Sequence, residues 1–269
     1  MEVRDQQIVV ITDFTENSRK AFKHAQVLAE ILEKGLYLAC FVQEDVNEEQ
    51  AKAALHTFAR DTNINTYLIK GNNKNSISTM IDSISAILIV LTSNTENPKN
   101  IFHPKRILKI LKHSRVPYLF VNSDIKNSDF YNKVILPIDS TRESKEKVLW
   151  ASYFGRFNNA FIHVISSYVK DEYLNRQLRN NLKFIRKIFS NFEVNYEIHE
   201  TNQKENELDF YALTTANIEK AGLIILMMGN HKNLFDIFTG QREISIISNS
   251  KGISVLCLNK REDLYIICD

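Results

Sequence analysis

The chain has 269 residues, of which 44% are hydrophobic and 25% charged, the proportions of a globular protein with a sizeable core rather than of a disordered one. Its 34 basic and 32 acidic residues leave a formal charge of +2, which demands neither nucleic acid nor an anionic membrane as a partner. With 7 glycines and 4 prolines, collagen-like, low-complexity and loop-dominated all-β architectures are disfavoured, and long helices with buried strands are expected.

The N-terminus MEVRDQQ runs straight into the apolar run IVVIT (8–12) without a signal-peptide pattern, and no stretch approaches the ~20 apolar residues that span a bilayer. Asp13 closes that run, and from Ser18 to Leu32 the residues Phe22, Ala25, Leu28, Ala29 and Leu32 recur at helical spacing, with Thr15 and Ser18 as N-cap candidates. LYLACFV (36–42) and AILIVLTSN (86–94) follow as apolar runs, then the basic amphipathic segment PKRILKILKHSR (104–115) and the run VPYLFVN (116–122). The 104–115 segment predicts a crossover helix with Ile107, Leu108, Ile110 and Leu111 inward and its lysines in water. SDIKNSDFYN (123–132) is polar and joins what comes before to what comes after.

Beyond it the pattern starts again. VILPIDSTRES (134–144) matches IVVITDFTENS (8–18), with Asp13 over Asp139, Thr15 over Thr141 and Ser18 over Ser144 at a constant offset of 126. IHVISSY (162–168) lies over LYLACFV at the same offset, a helical pattern follows over 175–189, and GLIILMMGN (222–230) and ISVLCLN (253–259) close the second copy. The runs are short, rich in Ile, Val and Leu, and do not alternate with polar residues, which is the signature of parallel strands covered on both faces. Strand–helix alternation with five strands per copy predicts two tandem doubly wound α/β units, 1–125 and 130–269, meeting near residue 127.

Three cysteines, Cys40, Cys257 and Cys268, lack C-x-x-C spacing, so reduced core thiols and a cytoplasmic setting are expected. The seven histidines form no H-x-x-x-H or H-x-x-E-H pair, so no metal is expected; His163, inside an apolar run, reads as a hydrogen-bonded core residue. No G-x-S-x-G elbow, Cys–His signature or full Walker loop is present, so no catalytic residue is assigned.

A unit that opens with strand–Asp–x–[ST]–x–x–S and ends with strand, small-residue loop, helix and strand resembles the universal stress protein family. The resemblance covers both copies and is carried most fully by VILPIDSTRES, with Pro137 and Asp139, and by LIILMMGN…ISVLCLN. It implies a non-enzymatic stress-response module of the adenine nucleotide alpha hydrolase-like fold. It also implies pairing of the copies through their last strands, a pseudo-dimer within one chain, with Tyr118, Phe120, Val255 and Cys257 at the interface. A homodimer of such chains and an unidentified protein partner are compatible with this arrangement; nucleic acid and membrane are not among the expected partners.

ATP-binding members carry G-x2-G-x9-G-[ST] after the fourth strand, where glycines let backbone N–H groups wrap phosphate at a helix start. Here the second copy keeps Gly229 and Gly240, but Lys232 replaces the middle glycine, the spacing is two residues short, and Gln241 follows instead of Ser or Thr. The first copy has Ser93, Glu96 and Pro104 at the glycine positions, which makes its site, Asp13 and Ser93, degenerate. For Asp13 a helix cap outweighs ligand binding, whereas for Asp139 the two are balanced. The candidate nucleotide site is therefore confined to the second copy: Pro137, Asp139, Ser140, Thr141 and Ser167 at the strand ends. From the loop it takes Gly229, Asn230, His231, Lys232 and Gly240, followed by Gln241 and Arg242. Three readings stay open: ATP with magnesium bound in the second copy, a partner-binding scaffold without a ligand, and a weak ATPase using Asp139 and the 229–242 loop.

Overall fold

The computed structural model describes residues 6–260 apart from 44, 62, 126–127 and 230–240. The first half runs β1 (Gln7–Ile11), α1 (Glu16–Leu32), β2 (Gly35–Val42), α2 (Glu48–Ala59), β3 (Asn65–Lys70), α3 (Lys74–Ile84), β4 (Ala86–Leu91), α4 (Pro104–Leu111) and β5 (Tyr118–Phe120). A single 3-10 turn, Ser128–Tyr131, precedes the second half: β6 (Lys133–Ile138), α5 (Ser144–Asn158), β7 (Phe161–Tyr168), α6 (Glu172–Asn191), β8 (Tyr196–Lys204), α7 (Leu208–Ile218), β9 (Leu223–Met228), α8 (Gln241–Ile247) and β10 (Ser254–Asn259).

All ten strands form one sheet in the order β3-β2-β1-β4-β5-β10-β9-β6-β7-β8. Each half is thus wound 3-2-1-4-5 with parallel neighbours, and the halves meet antiparallel through β5 and β10, where Phe120 pairs with Val255, Leu119 with Leu256 and Tyr118 with Cys257. All four residues expected at the interface lie in this seam. Because successive strand residues point to opposite faces, the apolar runs feed two cores. Ile8, Val10, Leu119, Leu136 and Leu256 pack under α1, α2, α5 and α6, whereas Val9, Ile11, Phe120, Ile224 and Cys257 pack under α3, α4, α7 and α8.

The halves are also tied by polar groups. Tyr118 donates its hydroxyl to Asn259 Oδ1 at 3.0 Å, and Asn259 Nδ2 donates to the carbonyls of Leu111 and Ser114 at 2.7 and 3.1 Å. Asn259 thereby satisfies carbonyls left open at the end of α4, and the helix expected over 104–115 stops at Leu111. Ser114 then bonds Val116 on both sides of a tight turn into Pro117, a residue that disfavours helix before it. As expected of a crossover helix, α4 buries Ile107, Ile110 and Leu111 and exposes Lys105, Arg106 and Lys109. The linker is pinned to β9 at Gly222, where an added Cβ would stand 1.9 Å from the Phe130 carbonyl oxygen. Cys40 and Cys257 are buried free thiols; Cys268 lies outside the described residues. No helix among the described residues is long and apolar enough to cross a membrane.

Candidate functional site

In each half the strand order reverses between the first and fourth strands, which opens a crevice at their carboxyl ends. In the second half this crevice lies between β6 and β9. Their ladder holds only at Val134 and Ile135, two residues short of Pro137, which has no N–H to extend it.

Asp139, just beyond β6, is held by the turn that starts α5. Its Oδ1 accepts from Thr141 N at 2.9 Å, Thr141 Oγ1 at 2.5 Å and Ser144 Oγ at 2.6 Å, while Asp139 N donates back to Ser144 Oγ at 3.3 Å. Asn181, buried on α6, clamps the same turn by donating to the Asp139 and Thr141 carbonyls at 2.9 and 2.8 Å. The repeat makes the first half do the same: Asp13 Oδ1 accepts from Thr15 N, Thr15 Oγ1 and Ser18 Oγ at 3.2, 2.5 and 2.8 Å. The D-x-[ST]-x-x-S spacing therefore encodes a turn and helix start in both halves.

Below Asp139 sits Lys147, 2% exposed on the inner face of α5, donating its ammonium to the Pro137 carbonyl. Burial pulls the Lys147 pKa down against the attraction of Asp139 and Asp209. Burial also pushes the Asp139 carboxyl up, but Lys147 and the hydroxyls of Ser144 and Thr141 outweigh it and hold the group below its ordinary value. Three donors of its own turn thus converge on Asp139 Oδ1.

The backbone donors of the crevice face carboxylates of the chain itself. Ser140 N donates to Glu205 Oε1 at 2.8 Å, and Gly229 N donates to Glu243 Oε1, in the first turn of α8, at 3.3 Å. Gly229 has φ +74°, the left-handed region that favours glycine, and no described residue comes within 4 Å of where a Cβ would stand. Ser140 and Ser167 bury hydroxyls that have no hydrogen-bond partner among the described residues. The Arg242 guanidinium lies 5.3 Å over the Phe210 ring of α7. Gln241 opens α8, and Asn230, His231, Lys232 and Gly240 lie outside the described residues. Those parts of the candidate site that are described thus gather Asp139, Ser140, Thr141 and Gly229 at one crevice, with Pro137 contributing its carbonyl from below.

The first half closes its crevice differently. Asn94 Oδ1 accepts from Glu96 N and Asn97 N, Asn97 Oδ1 from Lys99 N, and Asn100 Oδ1 from Phe102 N. This loop of linked Asn turns drives Phe102, 2% exposed, edge-on against Phe41 at the end of β2, with ring centroids 6.2 Å apart. Ser93 turns to the other half, its hydroxyl 3.2 Å from that of Ser248.

Solved structures share this arrangement over nearly the full chain. A universal stress protein from Archaeoglobus fulgidus is 14% identical, with 96% of this chain and 97% of that one covered at a TM-score of 0.63. The chain has the universal stress protein fold, in tandem. A putative universal stress protein from Pseudomonas aeruginosa, 17% identical, covers 96% and is itself covered over 94% at a TM-score of 0.61. A functionally unknown protein from the same species is 16% identical, with 96% and 93% covered at a TM-score of 0.61. No family model and no curated protein matches the chain.

Sequence reasoning missed Lys147, Asn181, Glu205 and Glu243. Lys147 carried a signal, since it stands four residues before Ala151 and seven before Phe154, on the buried face of α5. His163 is buried on β7 with Nδ1 3.3 Å from His199 Nε2 and Nε2 4.0 Å from Glu219. Burial lowers its pKa, Glu219 opposes that, and His199 and Lys133 add to it.

Proposed function

We propose that the chain, divided into units at 1–125 and 130–269, is a non-enzymatic stress-response module that works by binding a protein partner, without ATP in either crevice. One observation carries this reading: the N–H groups of Ser140 and Gly229, which would meet an anionic ligand, are occupied by Glu205 and Glu243. A nucleotide triphosphate would have to displace both carboxylates and stand beside Asp139, whose charge is already balanced by the buried Lys147. Like charges at such separations oppose binding strongly in a partly buried site. In the first half the loop after β4 has no glycine and is braced instead by Asn turns and by Phe102 packed against Phe41.

A second reading, ATP with magnesium in the second half, draws support from the positive φ of Gly229 and from the buried hydroxyls of Ser140 and Ser167, which have no hydrogen-bond partner among the described residues. Calorimetric titration of the full chain with ATP and magnesium separates the two. The proposal expects no saturable heat at millimolar nucleotide in the wild type, and measurable binding once Glu205→Gln and Glu243→Gln remove the two opposing charges and replace each carboxylate with a weaker, uncharged acceptor. Saturable binding by the wild type that is lost on Gly229→Val supports the second reading instead.

A further inference from the structure

The two halves meet along α1 and α5, and the repeat makes these helices equivalent, with Trp150, Tyr153 and Phe157 on α5 standing 126 positions beyond His24, Val27 and Ile31 on α1. On α1 this surface is covered by the linker, whose Phe130 and Tyr131 rings lie edge-on to His24 with centroids 4.8 and 5.7 Å away. On α5 Trp150 is half-buried against the core, but the rest of the stripe has no such cover among the described residues. Leu149, Tyr153 and Phe157 are 41%, 44% and 42% exposed, which a surface helix avoids unless something covers it.

The bare stripe forms one wall of a groove of about 450 Å³, within the size range of small-molecule sites. Trp150 meets Tyr153 edge-on at 5.5 Å and Tyr153 stacks on Phe157 at 6.1 Å, a continuous aromatic ladder. The opposite wall comes from the first half: Leu32 at the end of α1, Ile87 on β4, and Val116 and Pro117 before β5. Both units therefore contribute to the groove. Lys34, half-buried, and Arg115, exposed, line it, and neither has an acidic partner among the described residues; Glu146 is the one carboxylate that lines it with them.

We propose that this groove between the halves binds a small apolar, ring-bearing molecule carrying one negative charge, its body against Trp150, Tyr153 and Phe157 and its anion toward Lys34 and Arg115. Aromatic walls recognise such a body by offset and edge contacts, and the two cations select the sign of its charge. The site is separate from the strand-end crevices and does not depend on whether they take a nucleotide.

Trp150 is the only tryptophan in the chain, so its emission reads this groove directly. The probe is 8-anilinonaphthalene-1-sulfonate, titrated into the full chain with uncharged N-phenyl-1-naphthylamine as the comparison. The expected result is saturable one-to-one binding that quenches Trp150, at least tenfold weaker for the uncharged dye. Lys34→Glu with Arg115→Glu should weaken the sulfonate at least tenfold, and Phe157→Asp, at a solvent-exposed position, should abolish binding. The proposal is overturned by binding that leaves Trp150 unquenched, by equal affinity for both dyes, or by indifference to these variants. It is also overturned if Trp150 emission depends on protein concentration without a probe, which assigns the groove to a second copy. Loss of residues 261–269 that reproduces the probe's effect assigns it to the chain's own end and overturns the proposal too.

Discussion

Acidification should loosen the joint between the two halves through His24. This ring, fully buried on α1, reaches the Ser123 carbonyl with Nε2 at 3.0 Å and the Tyr131 hydroxyl with Nδ1 at 2.6 Å. A carbonyl can only accept, so Nε2 carries the proton and Nδ1 accepts from Tyr131. Burial lowers the pKa from 6.5 to about 4, against the smaller opposing effects of the Ser123 carbonyl and Asp124. The native state therefore stays neutral well below the pH at which the unfolded chain takes up a proton. Between these values the unfolded state binds more protons, so stability present at neutral pH is lost as pH falls. At ~1.4 kcal/mol per tenfold the loss is about 2 kcal/mol between pH 7 and pH 5, and about 3 kcal/mol by pH 4. Urea unfolding of the wild type and of His24→Gln at pH 7 and pH 5 isolates this contribution, because every other group titrates alike in both proteins. The wild type should lose about 2 kcal/mol more than the variant over that interval. Equal losses would refute the reasoning that burial keeps His24 neutral.

Two further substitutions probe the packing around the second crevice. Lys147→Ala leaves the Asp139 carboxylate buried without its counter-charge and the Pro137 carbonyl without its donor, and should cost about 3 kcal/mol or more in urea unfolding; a loss below about 1 kcal/mol contradicts this account of Lys147. Gly222→Ala places a methyl 1.9 Å from the Phe130 carbonyl oxygen, backbone that cannot swing aside, so thermal unfolding should show a loss of roughly 2 kcal/mol. A neutral result would mean that the linker is not pinned to β9.

Much of the architecture is legible in the chain because strands buried on both faces leave continuous apolar runs. The copies of β1, β2, β4 and β5 align by eye with β6, β7, β9 and β10, and the pairing of the last strands follows from the resemblance. The third strands do not align. β3 and β8 lie at the two edges of the sheet, and β8, YEIHETNQK, alternates between half-buried and exposed positions along its length. An edge strand under less complete cover need not keep an apolar sequence. The capping of α4 was also hidden, since Asn259, which donates to the carbonyls of Leu111 and Ser114, belongs to the other half.

At the crevice the local part was legible and the tertiary part was not. Asp139, Thr141 and Ser144 form a turn within six residues, so spacing alone encodes it. Glu205 follows β8, 65 residues after Ser140, and Glu243 stands 14 residues beyond Gly229. Nothing in the sequence around either acid states which N–H it will meet. The scarcity of glycine pointed toward a crippled phosphate loop, and at two of its remaining donors the chain places carboxylates of its own.

The most direct test is the heat released when ATP and magnesium are titrated into the intact protein, before and after Glu205→Gln and Glu243→Gln. The account predicts none for the wild type up to millimolar nucleotide and a saturable signal for the double variant. Saturable wild-type binding that is no tighter in the double variant would contradict it.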